Sequence, residues 1–377
     1  MTQNLWNWQH PDWPRFQYRM EAFQDDLLAY TALAHRWVGC VSQLAPGIRD
    51  DMVLDIMMDE AMKNAAIEGV SLPAEDLRSS LKNHLGLHPP QRIRDPRAEG
   101  MAQLVLRVRQ HFDAPLTAED LCDWQTLVTQ NEPRWKDITI GSWRHAEDPM
   151  QIVSGPVGAE RVHFQAPPAS ALPREMDGFF TWFEETHPHR GVRPMQGVIR
   201  AGLAHLYFES LHPFDDGNGR VGRALAEKAL AQDLGAPVLF SLSAAIERTR
   251  KQYYEALGRA SLYTLEVTPW LSYFVATVYQ AQQHSETLLT FVLAKARFFA
   301  DHTAPLNDRQ KKVLNRMFAA GPNGFEGGMS AAKYQHITKT SKPTATRDLS
   351  DLLAKGYLRP QGGGGRSTRY GLNLDSL

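Results

Sequence analysis

Cysteine is scarce in this chain: two residues, Cys40 and Cys122, among 377. Standing far apart in sequence, they make neither a disulfide framework nor a metal cluster. Both read as packed apolar side chains in a protein kept in a reducing cytoplasm. Long apolar runs are missing too. No stretch approaches the ~18–20 residues that span a bilayer, and the apolar segment from Trp270 onward is interrupted by Gln280, Gln282, Gln283, His284 and Glu286. Charge of one sign is absent overall: 41 Lys and Arg oppose 42 Asp and Glu, a net −1. That excludes a globally basic nucleic-acid binder and an acidic tail protein, though not a local patch. Residues 1–12 hold no basic stretch followed by an apolar core, so no secretory signal is expected. No repeat of fixed period organises the chain. What remains is length enough for two or three domains with real cores.

What is present is concentrated at His212-Pro213-Phe214-Asp215-Asp216-Gly217-Asn218-Gly219-Arg220-Val221-Gly222-Arg223. Pro213 and the Gly-Asn-Gly run keep its first part out of a helix. From Arg220 to Asp233, Val221, Leu225, Ala229 and Leu230 fall at helical spacing. The pattern is a loop feeding a helix N-terminus, where unpartnered amides and the helix dipole favour an anion such as phosphate. Arg220 and Arg223 share the first turn and are expected to aim at that anion. Asp216 is a hard oxygen ligand of the kind Mg²⁺ uses alongside phosphates. His212 is a general base for neutral pH. A solvated turn needs none of these in combination.

The string resembles the signature H-P-F-x-D/E-G-N-G-R-x-x-R of Fic-domain nucleotidyltransferases and matches it at every specified position. The resemblance implies transfer of AMP from ATP to a Tyr, Thr or Ser hydroxyl of a protein, itself included, with release of pyrophosphate. His212 would take the hydroxyl proton, a role worth ~10²–10⁴-fold in rate. Asp216 would hold Mg²⁺. Gly217, Asn218 and Gly219 would line the anion hole, with Arg220 and Arg223 on the β- and γ-phosphates. Phe214 would anchor the loop, and Asp215 would face water. The same site could run in reverse, removing AMP, and some relatives transfer other phosphate-containing groups.

Upstream, Trp6, Trp8 and Trp13 crowd into an arm that cannot be a solvated tail and should dock on the body. Residues 15–45 read as helix, with Phe16, Met20, Phe23, Leu27, Leu28 and Tyr30 apolar. A second helix runs from about Asp50 to Glu68 and stops at Gly69. Its end, Asn64-Ala-Ala-Ile67-Glu68-Gly69, resembles the inhibitory motif S/T-x-x-x-E-G/N of Fic proteins, with Asn64 in place of the hydroxyl residue that would contact Asn218. Glu68 would pair with Arg223 and deny it to the γ-phosphate. Holding the active arrangement to about one per cent takes only ~2.7 kcal/mol of bias.

Residues 71–130 continue helical around a loop at Pro89-Pro90, with Ala102–Phe112 and Ala118–Thr129 as helices, the latter capped by Thr117. Ile138–Ile140, Met150–Val153 and Val162–Phe164 alternate as strands, with Ser154–Gly158 as a turn. In the family this hairpin is a flap, Ile152 and Val153 on its edge, that aligns a target by strand addition; a hairpin closed by its own core is the alternative. Arg144 draws no catalytic role. Further helices run over 175–186 and 194–210, the latter delivering His212, and over 241–258, where Tyr253 and Tyr254 are either adenine contacts or core. Thr268-Pro269-Trp270 opens a long helix to about Phe291.

From Asn307 the balance shifts to 12 Lys and Arg against 5 Asp and Glu. Three helices, then strands at 357–359 and 368–372 around the wing Gly362–Arg366, resemble a winged helix-turn-helix. Lys342, Thr344, Arg347 and Arg366 would contact DNA, with packing or homodimer formation as the alternative. The expected architecture is mainly α. It comprises an N-terminal helical region (1–100), a Fic-type helical bundle with a β-hairpin flap (101–300) and a C-terminal winged helix (301–377). A DNA-binding regulator with a nucleotide-sensing core is the rival from another class.

Overall fold

The structure, a computed structural model, describes residues 6–87, 91–131, 138–154, 161–301, 306–321, 324–361 and 368–374. In chain order the helices are α1 (Gln24–Ser42), α2 (Pro46–Ile67), α3 (Ala74–His84), α4 (Pro96–Gln110) and α5 (Ala118–Thr129). An antiparallel hairpin follows, β1 (Gln151–Ser154) with β2 (Arg161–Gln165). Then come α6 (Leu172–Glu185), α7 (Gly197–Leu211), α8 (Asn218–Leu234), α9 (Leu242–Arg248), α10 (Arg250–Ala260) and α11 (Thr268–Asp301). The chain closes with α12 (Asp308–Phe318), α13 (Ala331–Thr338), α14 (Lys342–Ala354) and the antiparallel pair β3 (Leu358–Pro360) and β4 (Tyr370–Leu372). Among the described residues the fold is mainly α with two small antiparallel strand pairs. Among the described residues no helix is long and apolar enough to cross a membrane.

The chain forms two compact units, one of residues 1–40 and 53–283 and the other of 41–52 and 284–377. The first is built around α7, whose fifteen residues are all buried. A helix enclosed on every side needs no amphipathic stripe, and α7 has none. Its one cation, Arg200, is satisfied inside: it donates to the Phe183 carbonyl at 2.7 Å and to Gln232 Oε1 at 2.8 Å. Its guanidinium also lies 3.8 Å from the Phe183 ring centroid. Gly222 lets α8 approach α7 closely, since a Cβ there would meet Glu209 Oε1 at 2.7 Å. In the second unit, Val313, Leu314, Met317, Tyr334, Leu349 and Tyr357 form a separate core.

Several elements differ from expectation for local reasons. The helix read over 15–45 begins only at Gln24, because Gln17 is held in a bridge by Leu265 and Val267 and residues 20–22 form a 3-10 turn. Phe16 accordingly packs on Trp13 and Tyr207 from outside any helix. α4 starts at Pro96, six residues before its apolar pattern, where Asp95 caps it and Pro96 takes the first-turn position. Residues 138–140 are not a strand: the Thr139 amide donates to Asp215 of the signature loop and its carbonyl accepts from Gln125 on α5. The segment 241–258 is two helices broken at Thr249. Pro89-Pro90, the turn after Ser154 and the wing 362–366, Arg366 included, lie outside the described residues.

Candidate active site

α7 ends at His212, which adopts a left-handed conformation (φ 45°, ψ 59°) and turns the chain out of the helix. For a residue with a Cβ that conformation is costly and has to be held from outside. Arg144 holds it. Its Nε donates to the His212 carbonyl at 2.8 Å, its Nη2 to the Pro167 carbonyl at 2.6 Å, and its amide to the Pro213 carbonyl at 2.9 Å. The arginine to which the sequence lent no role is therefore the buried brace of the loop. Phe214 is fully buried, as expected of an anchor. Asp215 does not simply face water: it accepts from the Thr139 amide at 2.9 Å.

Gly217 follows with φ +90°, the left-handed turn that opens α8. The Asn218 side chain is folded back on the loop, with Oδ1 accepting from the Phe214 amide at 3.0 Å and Nδ2 donating to its carbonyl at 2.8 Å. Its role is bracing, so the side chain of Asn218 is taken up within its own loop. The two arginines do not converge. Arg220 donates to the Val128 carbonyl at 2.7 Å and to Asp216 Oδ2 at 3.0 Å. Arg223 runs the other way, to α2, where Nε donates to Asn64 Oδ1 at 2.8 Å and Nη2 to the Asn64 carbonyl at 3.0 Å. Nη1 lies 2.8 Å from Glu68 Oε1. Asn64 thus contacts Arg223, and its Nδ2 the Arg220 carbonyl at 3.2 Å, in place of the expected Asn218. That amide is already occupied within its own loop.

Glu68 sits just beyond α2, ahead of Gly69 at φ +76°. A Cβ on Gly219 would lie 2.4 Å from Glu68 Oε1, so the carboxylate rests on the opening turn of α8 where a bound anion would sit. Burial alone would raise its pKa, but Arg223, with help from Arg220 and Arg250, holds it below the ordinary range. Arg223 is raised in turn, chiefly by Glu68 acting against burial.

His212 keeps 12% of its side chain exposed, with Nδ1 3.8 Å from Glu209 Oε2. Burial, and then the Arg144 charge, lowers its pKa to about 4. At neutral pH the imidazole is uncharged and able to accept a proton. Glu209, three residues earlier on α7, is raised to about 8 by burial and then by Glu68. Nothing in its spacing set it apart from other acids on a helix.

Beside Glu209 opens a cavity of about 850 Å³ lined by Trp6, Ile152, Phe164, Glu209, Tyr254 and Leu257. Tyr254 is 42% exposed there, whereas Tyr253 is core, bonded to His205 Nε2 at 2.7 Å. Ile152 pairs opposite Phe164 and Val153 opposite Val162 across a register shift, and both β1 side chains are exposed, at 43% and 47%. In the second unit Lys342, Thr344 and Arg347 fall on the first turns of α14, and Thr344 Oγ1 lies 3.0 Å from Ser341 Oγ.

Residues 115–230 match the Fic/DOC family, and residues 6–87 match a domain of unknown function, DUF4172. A curated protein of Aquifex aeolicus (strain VF5), named probable protein adenylyltransferase, is 31% identical over 156 residues. That stretch takes in 41% of this chain and 42% of the relative, so less than half of the relative's length is spanned. Two solved structures share the fold. A Fic family protein from Desulfovibrio desulfuricans G20 has TM-score 0.52 at 18% identity, covering 92% of this chain and 95% of that one. A Fic domain containing signaling protein from Bacteroides thetaiotaomicron VPI-5482 has TM-score 0.53 at 17% identity, covering 72% and 97%.

Proposed function

We propose, from the premise that residues 115–230 of this chain are a Fic/DOC domain, that it transfers AMP from ATP to a protein side-chain hydroxyl and that Glu68 restrains it. The observation that carries this reading is the Glu68 carboxylate, 2.8 Å from Arg223 and seated on the opening turn of α8. A protein carboxylate stands where the terminal phosphate of a nucleotide would otherwise meet the same arginine and the same amides. The name of the Aquifex relative supports the chemistry.

In this reading the base and ribose enter the cavity between β1–β2 and α10, against Ile152 and Tyr254, and the triphosphate reaches toward Gly217–Gly219. His212 accepts the proton of the attacking hydroxyl, which forms a bond to the α-phosphorus as pyrophosphate leaves. Its lowered pKa keeps the imidazole neutral for that step. The Gly217–Gly219 amides and Arg223 carry the negative charge that builds on the phosphates. Asp216 suits Mg²⁺: it is a carboxylate 30% exposed at the loop, and Mg²⁺ commonly takes one or two protein carboxylates together with phosphates. The metal, when bound, would offset phosphate charge. Asp216, now paired with Arg220, is the residue that would hold it.

The target segment would lie along the exposed apolar edge of β1 at Ile152 and Val153. Incubation of the full chain with labelled ATP and Mg²⁺ tests the reading. Label that depends on His212 and rises in Glu68→Gly supports it, and label indifferent to both substitutions overturns it. Removal of AMP from a modified protein, with no transfer, would point the same site in the reverse direction.

A second reading concerns residues 307–377. Their surplus of Lys and Arg, and a cleft of about 520 Å³ lined by Lys342, Thr346, Thr368 and Arg369, favour a winged helix that contacts nucleic-acid phosphates. Salt-dependent binding of duplex DNA by the full chain, reduced in Lys342→Ala and Arg347→Ala, is the expected result.

A further inference from the structure

The arm at the start of the described chain is tied to three walls of the nucleotide cavity at once. Trp6 pairs in an isolated antiparallel bridge with Leu262, just past α10, and the Asn7 amide donates to the Ser261 carbonyl at 3.0 Å. The Asn7 side chain is wholly buried, and its Nδ2 donates to Ser210 Oγ at 2.8 Å and to the Ala260 carbonyl at 3.2 Å. Ser210 lies two residues before His212. The hairpin is held next: the Trp6 ring meets Phe164 edge-on with centroids 5.3 Å apart, and Trp8 Nε1 donates to the Gln165 carbonyl at 2.7 Å. Trp6, Phe164 and Ala166 form a small core of their own, with Trp8, Met150 and Val162 packed on it.

A two-stranded hairpin is marginal in isolation and needs something to pack against. Here the arm supplies it, and Trp6 is itself a wall of the cavity. We propose that Trp6, Asn7 and Trp8 are positioning residues for the nucleoside. They fix the β1–β2 hairpin relative to α10 and to the end of α7, and so set the width of the cavity that receives the base. The inference rests on the nucleotide reading above and assigns a task to the first residues of the stretch that matches a domain of unknown function.

The consequence is selective. Loosening the arm should weaken contact with the base while leaving the phosphate end, at the start of α8, untouched. The test uses the full chain carrying Glu68→Gly, with ATP and inorganic tripolyphosphate as separate calorimetric probes, each with Mg²⁺. Trp6→Ala should raise the Kd for ATP about tenfold, and Trp8→Phe, which keeps an aromatic ring but loses the Nε1 donor and part of the indole's packing, about threefold. The Kd for tripolyphosphate should stay unchanged. The KM for ATP should follow the Kd while kcat holds within about twofold, and Trp6→Phe should recover most of the loss.

Equal weakening of both probes would mean general damage and would overturn the proposal, as would unchanged ATP binding in Trp6→Ala and Trp8→Phe. Trp8→Phe keeps the test decisive if Trp6→Ala fails to fold. If the Glu68→Gly chain bound neither probe and took no label, the functional reading would fall before any arm variant was made, and this inference with it.

Discussion

The two ends of the proposed nucleotide site are built on opposite terms. At the α8 end, polar groups already have protein partners: Asn218 in its own loop, Arg220 on Asp216 and Val128, Arg223 on Asn64 and Glu68. At the hairpin end the walls are largely apolar and about 850 Å³ lies open between them. In the proposed reading, a site with an open base end and a carboxylate at its phosphate end would be restrained by the Glu68–Arg223 contact. It is not closed throughout. The contact is also lightly made, since Glu68 keeps about a third of its side chain exposed while Arg223 is buried. Removing the carboxylate leaves a buried guanidinium still bonded to Asn64.

The largest effect that could break this contrast is at His212. In a Glu68→Gly chain, His212→Ala should lower labelling by ~10²–10⁴-fold with ATP affinity nearly unchanged. Labelling that survives the loss of His212 would remove the proton acceptor from the scheme. Next comes Glu68→Gly alone. A ~2.7 kcal/mol bias corresponds to about one molecule in a hundred active, so its release should raise labelling by tens-fold. A rate equal to wild type would mean that the ion pair at α8 does not govern activity.

How much of this was legible beforehand follows from what sequence spacing can carry. The signature loop and Gly69 could be read because left-handed turns and helix starts demand particular residues at fixed offsets. Glu68 and Asn64 could be matched to a motif, yet Asn64's partner could not, because it depends on Asn218 being consumed by Phe214 four residues away. The same limit hid the divergence of Arg220 and Arg223: sharing a helical turn fixes where side chains start and leaves their ends free. Arg144 and Glu209 were invisible for a related reason. Arg144 acts on the end of α7 from outside it, and Glu209, only three residues before His212, is marked by its burial and not by its spacing. Residues 138–140 misled because alternation marks a strand only when a partner strand exists, and here the Thr139 backbone bonds to the side chains of Asp215 and Gln125 instead.

A smaller effect sharpens the part played by α2. Asn64 Oδ1 accepts from Arg223 Nε, so Asn64→Ala strands a buried donor, at a cost of about 1–3 kcal/mol. The guanidinium should then sample other positions, and labelling should rise a few-fold, well short of Glu68→Gly, with a lower Tm. Asn64→Asp, which keeps an acceptor and adds a charge to Arg223, should bind it more firmly and lower labelling. Activity that falls in Asn64→Ala would show that Asn64 serves the active arrangement.

The smallest expected effect is on stability against pH, and its sign separates the buried acids from the buried histidines. Burial, followed by the charge of Glu68, raises Glu209 to about 8, and burial followed by Glu60 does the same to Glu227. Such a carboxyl keeps its proton in the folded chain where the unfolded chain has lost it. Its contribution is complete below about pH 4.5 and is lost as pH rises through 8. His187, His205 and His212, each lowered to about 4 with burial as the main cause, act in the opposite sense. Their contribution is complete above about pH 6.5 and is lost as pH falls toward 4. Between 4.5 and 6.5 the two sets oppose each other, but from 6.5 to 8 the acids act without the histidines. Tm should therefore drop by a few degrees over that upper window, and by less in Glu209→Gln, which has no proton to lose. Thermal melts of both chains from pH 6 to 8.5 measure it. A wild-type Tm that is level or climbing across the window would mean that Glu209 is already ionised beside His212, as a carboxylate partner of the imidazole.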